Sequence, residues 1–321
     1  MGLSTSGKLR YVYKELQRNW RSTKWWKGVY RRRIYSRLLR ADGTYILDEQ
    51  WDNLVILDAC RYDAFRKLNR IVGKLESRIS RGSCTVEFLR ENFTKYPRQA
   101  ALREIVYVTA NPYVNLHLGD RFHRIYPVWD HGWNDDLSTV PPEHVVEEAL
   151  KARMEHPNKR LIVHFMQPHF PSLIGRFPAE TGIEGLRSHA LGKSTYAEMT
   201  VEDLLEEGKL TREEVWSSYK DNLSIVLSHV EELTRRMPGI TVITSDHGDL
   251  FGERLGFLYP FREYGHKCEL HVRQLILVPW LILRNDTRVV PRTEPRGLEK
   301  STYSREEDEK IKDRLRRLGY E

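Results

Sequence analysis

Five short apolar runs constrain this 321-residue chain more than any other feature. They are Asn53–Asp58, Glu104–Thr109, Arg160–Met166, Ile240–Ser245 and Ile276–Leu283. Each is too short to be a buried helix and is rich in Val, Ile or Leu, so each reads as a buried strand. Helical patterns lie between them. Glu143–Met154 follows Pro141-Pro142, a helix-start signal. In Trp216–Arg236, residues Tyr219, Leu223, Val226, Leu227, Val230 and Leu233 recur at helical spacing. Strands alternating with helices predict an α/β fold of three layers, α/β/α, around a mainly parallel central sheet. Residues 172–215 break the alternation with an insertion that reads as a cap over a site. Ser304–Leu318 reads as a charged amphipathic helix ending at Gly319.

Composition narrows the class. Hydrophobic residues make up 40% and charged residues 30%, as in soluble globular proteins. The run Leu275–Leu283 contains Pro279 and falls short of the roughly 20 residues that a membrane span needs. No segment has the apolar core of a signal peptide. These features speak against an integral membrane or conventionally secreted protein and for a cytoplasmic one. Cys60, Cys84 and Cys268 show no Cys-x-x-Cys spacing, which points to a reducing compartment without a disulfide framework or structural zinc site.

The charge is uneven. Residues 1–40 hold twelve Lys or Arg against the single acid Glu15, whereas the whole chain is only +7, so the rest is net acidic. We therefore divide the chain into a basic, aromatic arm (residues 1–45) and a catalytic domain (46–321). Trp20, Trp25, Trp26, Tyr11, Tyr13, Tyr30 and Tyr35 interleave with the arm's cations. Such a mixture suits an anionic membrane surface, a phosphate backbone with bases to stack on, or a helical extension laid against the domain. No nucleic-acid recognition motif follows in the body. Met1-Gly2 with Ser6 fits a myristoylation pattern.

Chemistry-bearing residues gather where strands end. Asp58 follows Leu54–Leu57, at the carboxyl edge where open α/β sheets bind ligands; as a bare helix cap it would have no such role. Asp246 and His247 follow the fourth run and offer a hard oxygen and an imidazole to a divalent metal, with Gly248 allowing a tight turn. His164-Phe165-Met166-Gln167-Pro168-His169 ends the third run, and Tyr264-Gly265-His266-Lys267 follows later. Ser80-Arg81-Gly82-Ser83-Cys84-Thr85 places small hydroxyl residues before a helix starting near Val86, where a metal can activate a hydroxyl.

In this order the motifs "VILDACRYDAF", "SRGSCTVEF", "HFMQPHFP", "YKDNLSIVLSHVEEL", "ITSDHGDLFGER", "YGHKCELHVRQLILVPWLI" and "DRLRRLGY" resemble the alkaline phosphatase superfamily, most closely its sulfatase-like branch, over about residues 50–321. The resemblance implies an alkaline phosphatase-like fold and a divalent metal held by Asp58, Asp246 and His247. It also implies that the Thr85 hydroxyl completes that shell and attacks phosphorus or sulfur. His266 would bind a second metal or donate to substrate oxygens, and His169 would line the leaving-group side. Arg61 and Lys267 would stabilise charge. Manganese or zinc suits these donors best, with magnesium or calcium as alternatives.

Two departures refine this. The Cys/Ser-x-Pro-x-Arg sequence of sulfatases proper is missing, because Val86 and Phe88 stand at the Pro and Arg positions after Cys84. Thr85 is then the first choice of nucleophile, Ser83 the second and Cys84 the third. Two-metal members pair an Asp with His at the second ion, whereas Gln167 and His169 stand here, which favours one tight metal. A single metal with a threonine nucleophile is similar to the phosphoglycerol transferases of the superfamily. The expected function is hydrolysis or transfer of phosphate esters through a phospho-enzyme. The substrate would be glycan- or lipid-linked, met near an anionic bilayer. The alternatives are a sulfuric ester hydrolase and a non-catalytic protein that binds an anion, nucleic acid or a membrane surface.

Overall fold

The computed structural model of the chain describes residues 13–36, 42–175 and 200–285. The myristoylation pattern, residues 176–199 of the expected cap and the helix expected over Ser304–Leu318 lie outside the described residues. In chain order the strands are β1 (Asn53–Leu57), β2 (Lys74–Ile79), β3 (Ile105–Thr109), β4 (Arg124–Pro127), β5 (Arg160–Phe165), β6 (Ile240–Thr244), β7 (Phe251–Arg254), β8 (Arg262–Tyr264) and β9 (Leu277–Arg284). Seven form one sheet in the order β2-β9-β6-β1-β5-β3-β4, in which β9 alone runs against the others. Strands β7 and β8 pair separately and antiparallel.

The five apolar runs form β1, β3, β5, β6 and β9. The short strands β2, β4, β7 and β8 escape the sequence pattern, and β2 shows why. It is an edge strand whose apolar content is low and whose charges pair locally: Lys74 with Glu76 at 2.7 Å, and Arg78 with Glu76 at 2.9 Å and Glu49 at 2.8 Å. Charges on an edge discourage further strand pairing.

Alternate residues of the central strands feed two separate cores, as a two-residue side-chain period requires. Leu54, Ile56, Tyr107 and Ile162 pack with Phe88, Leu89 and Phe93 on one face. Val55, Leu57, Val106 and Val163 pack on the other with Val145, Ala149, Tyr219, Leu223 and Val226. The latter side chains belong to the helices Pro142–Glu155 and Arg212–Arg235. The second helix starts four residues before the apolar pattern, because Thr211 and Glu214 cap its charged first turn reciprocally.

In the arm, the helix Thr23–Tyr30 starts at Ser22, whose hydroxyl accepts from the Trp25 amide. Tyr35 is buried against Tyr259, and Lys27 and Arg31 pair with the buried Glu263. Part of the arm therefore lies on the body of the protein. Tyr13, Trp20 and Trp26 remain exposed.

Register fixes what comes next. Ile56 pairs with Thr244 and Leu57 with Phe165, so the residues that follow β1, β6 and β5 emerge side by side at one edge.

Candidate metal-assisted transfer site

Asp58 and Asp246 both stand at that edge, two residues beyond the paired Ile56 and Thr244. With His247 they form a buried group whose ligand atoms all lie within 4.8 Å of one another. His247 Nδ1 lies 2.8 Å from the Gly248 carbonyl, which can only accept, so Nδ1 carries the proton. Nε2 then presents its lone pair 3.3 Å from Asp246 Oδ2 and 3.7 Å from Asp58 Oδ1. The Thr85 hydroxyl closes the ring, 2.9 Å from Asp246 Oδ2 and 3.1 Å from His247 Nε2. Four-coordinate zinc with ligands at about 2.0 Å spaces them by about 3.3 Å, so these four residues fit such an ion. Asp58 Oδ1, which faces this group, has no hydrogen-bond partner among the described residues, as a metal-ligand oxygen would not. Asn111 donates to the other oxygen, Oδ2, at 2.7 Å.

The electrostatics agree. Burial and then the charge of Asp246 push the Asp58 carboxyl up to about 7, against the pull of His169, His247 and Asn111. Burial also opposes the charge on Asp246, but His247, His164 and the bonds from the Ala59 amide and Thr85 hold its carboxyl below the usual range. Two buried carboxylates this close do not both stay ionised without a compensating cation, a demand that a divalent ion meets. His164, whose Nε2 lies 3.8 Å from Asp58 Oδ2 and has no hydrogen-bond partner among the described residues, is pulled down to about 4 by burial and stays neutral.

The three candidate nucleophiles separate clearly. Thr85, first residue of the short helix Thr85–Leu89, alone touches the metal-type group. Ser83 is buried with its hydroxyl 2.8 Å from Glu87 Oε2 and 3.0 Å from the Lys267 carbonyl, while accepting from the Leu270 amide. Cys84 is bonded to Cys268. This corrects two expectations. Cys84 has no thiol to attack with, and the chain does hold a disulfide where none was expected. Three cysteines without a motif left the pairing invisible, because it joins segments 184 residues apart.

Gly248 is needed for a different reason than the one the sequence suggested. A Cβ there would overlap the Gln274 carbonyl oxygen, so the residue is small to let two backbones meet.

On the outer side, His266 stacks on His247 with ring centroids 4.5 Å apart and meets His169 edge-on at 4.9 Å. His169 Nδ1 lies 2.6 Å from the Phe170 carbonyl and donates to it, so Nε2 carries the lone pair of the neutral ring. Burial disfavours the cation on His169, but Asp58, Glu202 and Asp249 outweigh it and raise its pKa. His266 goes the other way, far below its usual range, through burial and the neighbouring His247 and His169. Asp249, raised by burial, lies 3.5 Å from His266 Nδ1.

Arg61 and Lys267 are placed differently. The Arg61 guanidinium binds Asp63 twice at 2.9 Å, Glu253 at 2.5 Å and the Asp249 carbonyl at 3.2 Å, and lies over Trp216. Its charge is already matched. Lys267 is exposed, and its carbonyl takes part in the Ser83 contacts. Asn111 was not singled out, and His164, though grouped with the strand-end histidines, and Asp249 were given no role of their own. His164 in an otherwise apolar run, and Asn111 just past β3, were the signals available.

No protein-family model matches the chain, and no curated protein matches it. Similar folds occur among solved structures. The integral membrane lipooligosaccharide phosphoethanolamine transferase A of Neisseria meningitidis is 14% identical over 76% of this chain and 49% of its own, with a TM-score of 0.46. This chain thus spans about half of that protein's length. The C-terminal periplasmic domain of a Campylobacter jejuni phosphoethanolamine transferase is 15% identical, covering 73% of this chain and 78% of its own, with a TM-score of 0.46. A putative sulfatase from Bacteroides thetaiotaomicron is 11% identical, covering 74% and 65%, with a TM-score of 0.41.

Proposed function

We propose that the protein is a metal-dependent transferase or hydrolase of phosphate esters that works through a phosphorylated Thr85. One observation carries this reading: the Thr85 hydroxyl sits within hydrogen-bond distance of both Asp246 and His247, beside Asp58. Asp58, Asp246, His247 and Thr85 hold the ion, zinc or manganese by the character of the donors. A bound divalent ion lowers the pKa of the hydroxyl and neutralises charge on the transferred group. Thr85 Oγ1 forms the bond to phosphorus as the bond to the leaving alcohol breaks. With the ion bound, the lowered pKa would let the Thr85 proton pass to solvent. In this reading His169, whose pKa is raised, would protonate the leaving oxygen, with His266 neutral beside it. Water or an acceptor alcohol then releases the phosphoryl group. The missing Cys/Ser-x-Pro-x-Arg sequence and the Cys84 disulfide both count against a formylglycine sulfatase.

The test is turnover of nitrophenyl phosphate, phosphodiester and sulfate with added manganese or zinc, comparing the wild type with Thr85→Ala. Metal-dependent turnover of a phosphate ester, lost in Thr85→Ala, is the expected result. Equal turnover by both proteins would refute Thr85 as nucleophile, and preference for the sulfate would favour the sulfatase reading.

The arm supports an anionic membrane surface as partner, consistent with a lipid- or glycan-linked ester as substrate. Trp20, Trp26 and Tyr13 are exposed among Lys14, Arg18 and Arg21, and the neighbouring loop bears exposed Phe257 and Leu258. Tyr30 joins the two regions by donating to the Leu258 carbonyl. Aromatics with cations suit the headgroup region. Replacing Trp20 and Trp26 by Ala should weaken binding to phosphatidylserine vesicles and spare turnover of a small soluble ester. Unchanged vesicle binding would count against the membrane reading.

A further inference from the structure

The sheet places Asp58, Asp246 and His247, but not Thr85. The helical segment that carries it, Thr85–Leu89 continuing through Arg90–Thr94, is anchored in the core by Phe88, Leu89 and Phe93, with Thr85 at its outermost turn. That first turn is tied in addition to the segment following His266. Glu87, buried on this turn, accepts at Oε2 from the Ser83 amide (2.8 Å), the Ser83 hydroxyl (2.8 Å) and the Glu269 amide (3.1 Å). Its Oε1 lies 2.9 Å from His271 Nε2. Ser83 in turn accepts from the Leu270 amide at 3.1 Å. Cys84, immediately before Thr85, is covalently tied to Cys268, two residues after His266. The Cys84 sulfur also caps the turn, accepting from the Glu87 amide.

We infer that Glu87 is a positioning residue for Thr85, and that the Cys84–Cys268 disulfide completes a clamp between the Thr85 turn and the His266 segment that transfer requires. This rests on Thr85 being the attacking group. Both halves of the clamp act on the same two segments, so losing either lets Thr85 and His266 move apart. A Gln at 87 would keep the shape but bring an NH2 group among donors that need an acceptor. Reduction would convert the bridge to two thiols, taking up two electrons and two protons. With tris(2-carboxyethyl)phosphine as reductant, the phosphine becomes its oxide with oxygen from water.

The experiment compares the oxidised wild type, the same protein after reduction, Glu87→Gln, and a Cys84→Ser/Cys268→Ser double variant. Serine at 84 keeps a cap for the turn, so the double variant removes only the cross-link. Displacing a reacting group by about 1 Å costs about 100-fold. Reduction and each variant should therefore lower kcat by about that factor, with KM within about twofold and bound metal retained. Reoxidation should restore the wild type. Amide hydrogen exchange over residues 83–89 should rise in the reduced protein and in both variants, with or without turnover. Unchanged kcat and unchanged exchange, in a protein whose cleaved bridge is verified by thiol titration, would overturn the clamp. If the oxidised wild type turns over none of the three esters, the proposed function fails separately, and the exchange result alone decides whether the clamp orders the turn.

Discussion

The two sides of the site are built by different means. Asp58, Asp246 and His247 stand within three residues of the ends of β1 and β6, whose register brings them together. Thr85 and His266 stand on connections that the sheet does not align, and are brought to the same place by Glu87, Ser83 and a disulfide. Groups of the first kind inherit their geometry from packing. Those of the second kind depend on a few specific bonds, so they should be separable by mutation.

The sharpest separation is between metal and nucleophile. Asp246→Asn should lose the ion, seen as loss of bound metal by elemental analysis, and with it all turnover. Thr85→Ala should lose turnover by at least about 10³-fold while still holding metal through Asp58, Asp246 and His247. A Thr85→Ala protein devoid of metal would mean that the hydroxyl is a principal ligand and that the two sides are not independent.

A smaller effect tests the sheet side. Asn111 orients Asp58 from β3, and partners of this kind typically contribute 10- to 100-fold to metal affinity, so about that loss is expected for Asn111→Ala in a metal titration. No change would show that the carboxylate needs no such support.

The smallest expected effect concerns acid stability on the loop side. Burial raises the Glu87 carboxyl, but His271 and the Ser83 and Glu269 amides outweigh it and hold it at about 2, below its ordinary 4.5. Because the folded value is lowered, the carboxylate contributes stability above pH 4.5, and that contribution is lost as the pH falls through about 2. Melting curves of wild type and Glu87→Gln should thus differ most above pH 4.5 and converge toward pH 2. A gap independent of pH would contradict the charged role of Glu87.

The same contrast explains what the sequence could say. Buried strands show as apolar runs, and a carboxylate directly after such a run falls at the carboxyl edge, so Asp58, Asp246 and His247 were legible as neighbours. Thr85 was legible only to within a residue or two, since Ser83, Cys84 and Thr85 all sit in one small-residue turn. Contacts of Ser83 with Lys267 and Leu270 and the bond of Cys84 to Cys268 separate them, and these reach across more of the chain than local pattern can show. Arg61 was attractive as a cation next to Asp58. Its pairing with Asp63 is local, but that with Glu253 depends on β7, a short strand that the pattern also missed.

The central claim is that Thr85 carries the transferred group. The most direct measurement is to quench the protein during turnover of a phosphate ester with manganese or zinc, digest it, and locate added phosphate by mass spectrometry. The account predicts phosphate on the peptide containing Thr85, absent in Thr85→Ala and in metal-free protein. Phosphate on Ser83, or steady turnover with no covalent phosphate at any position, would contradict it.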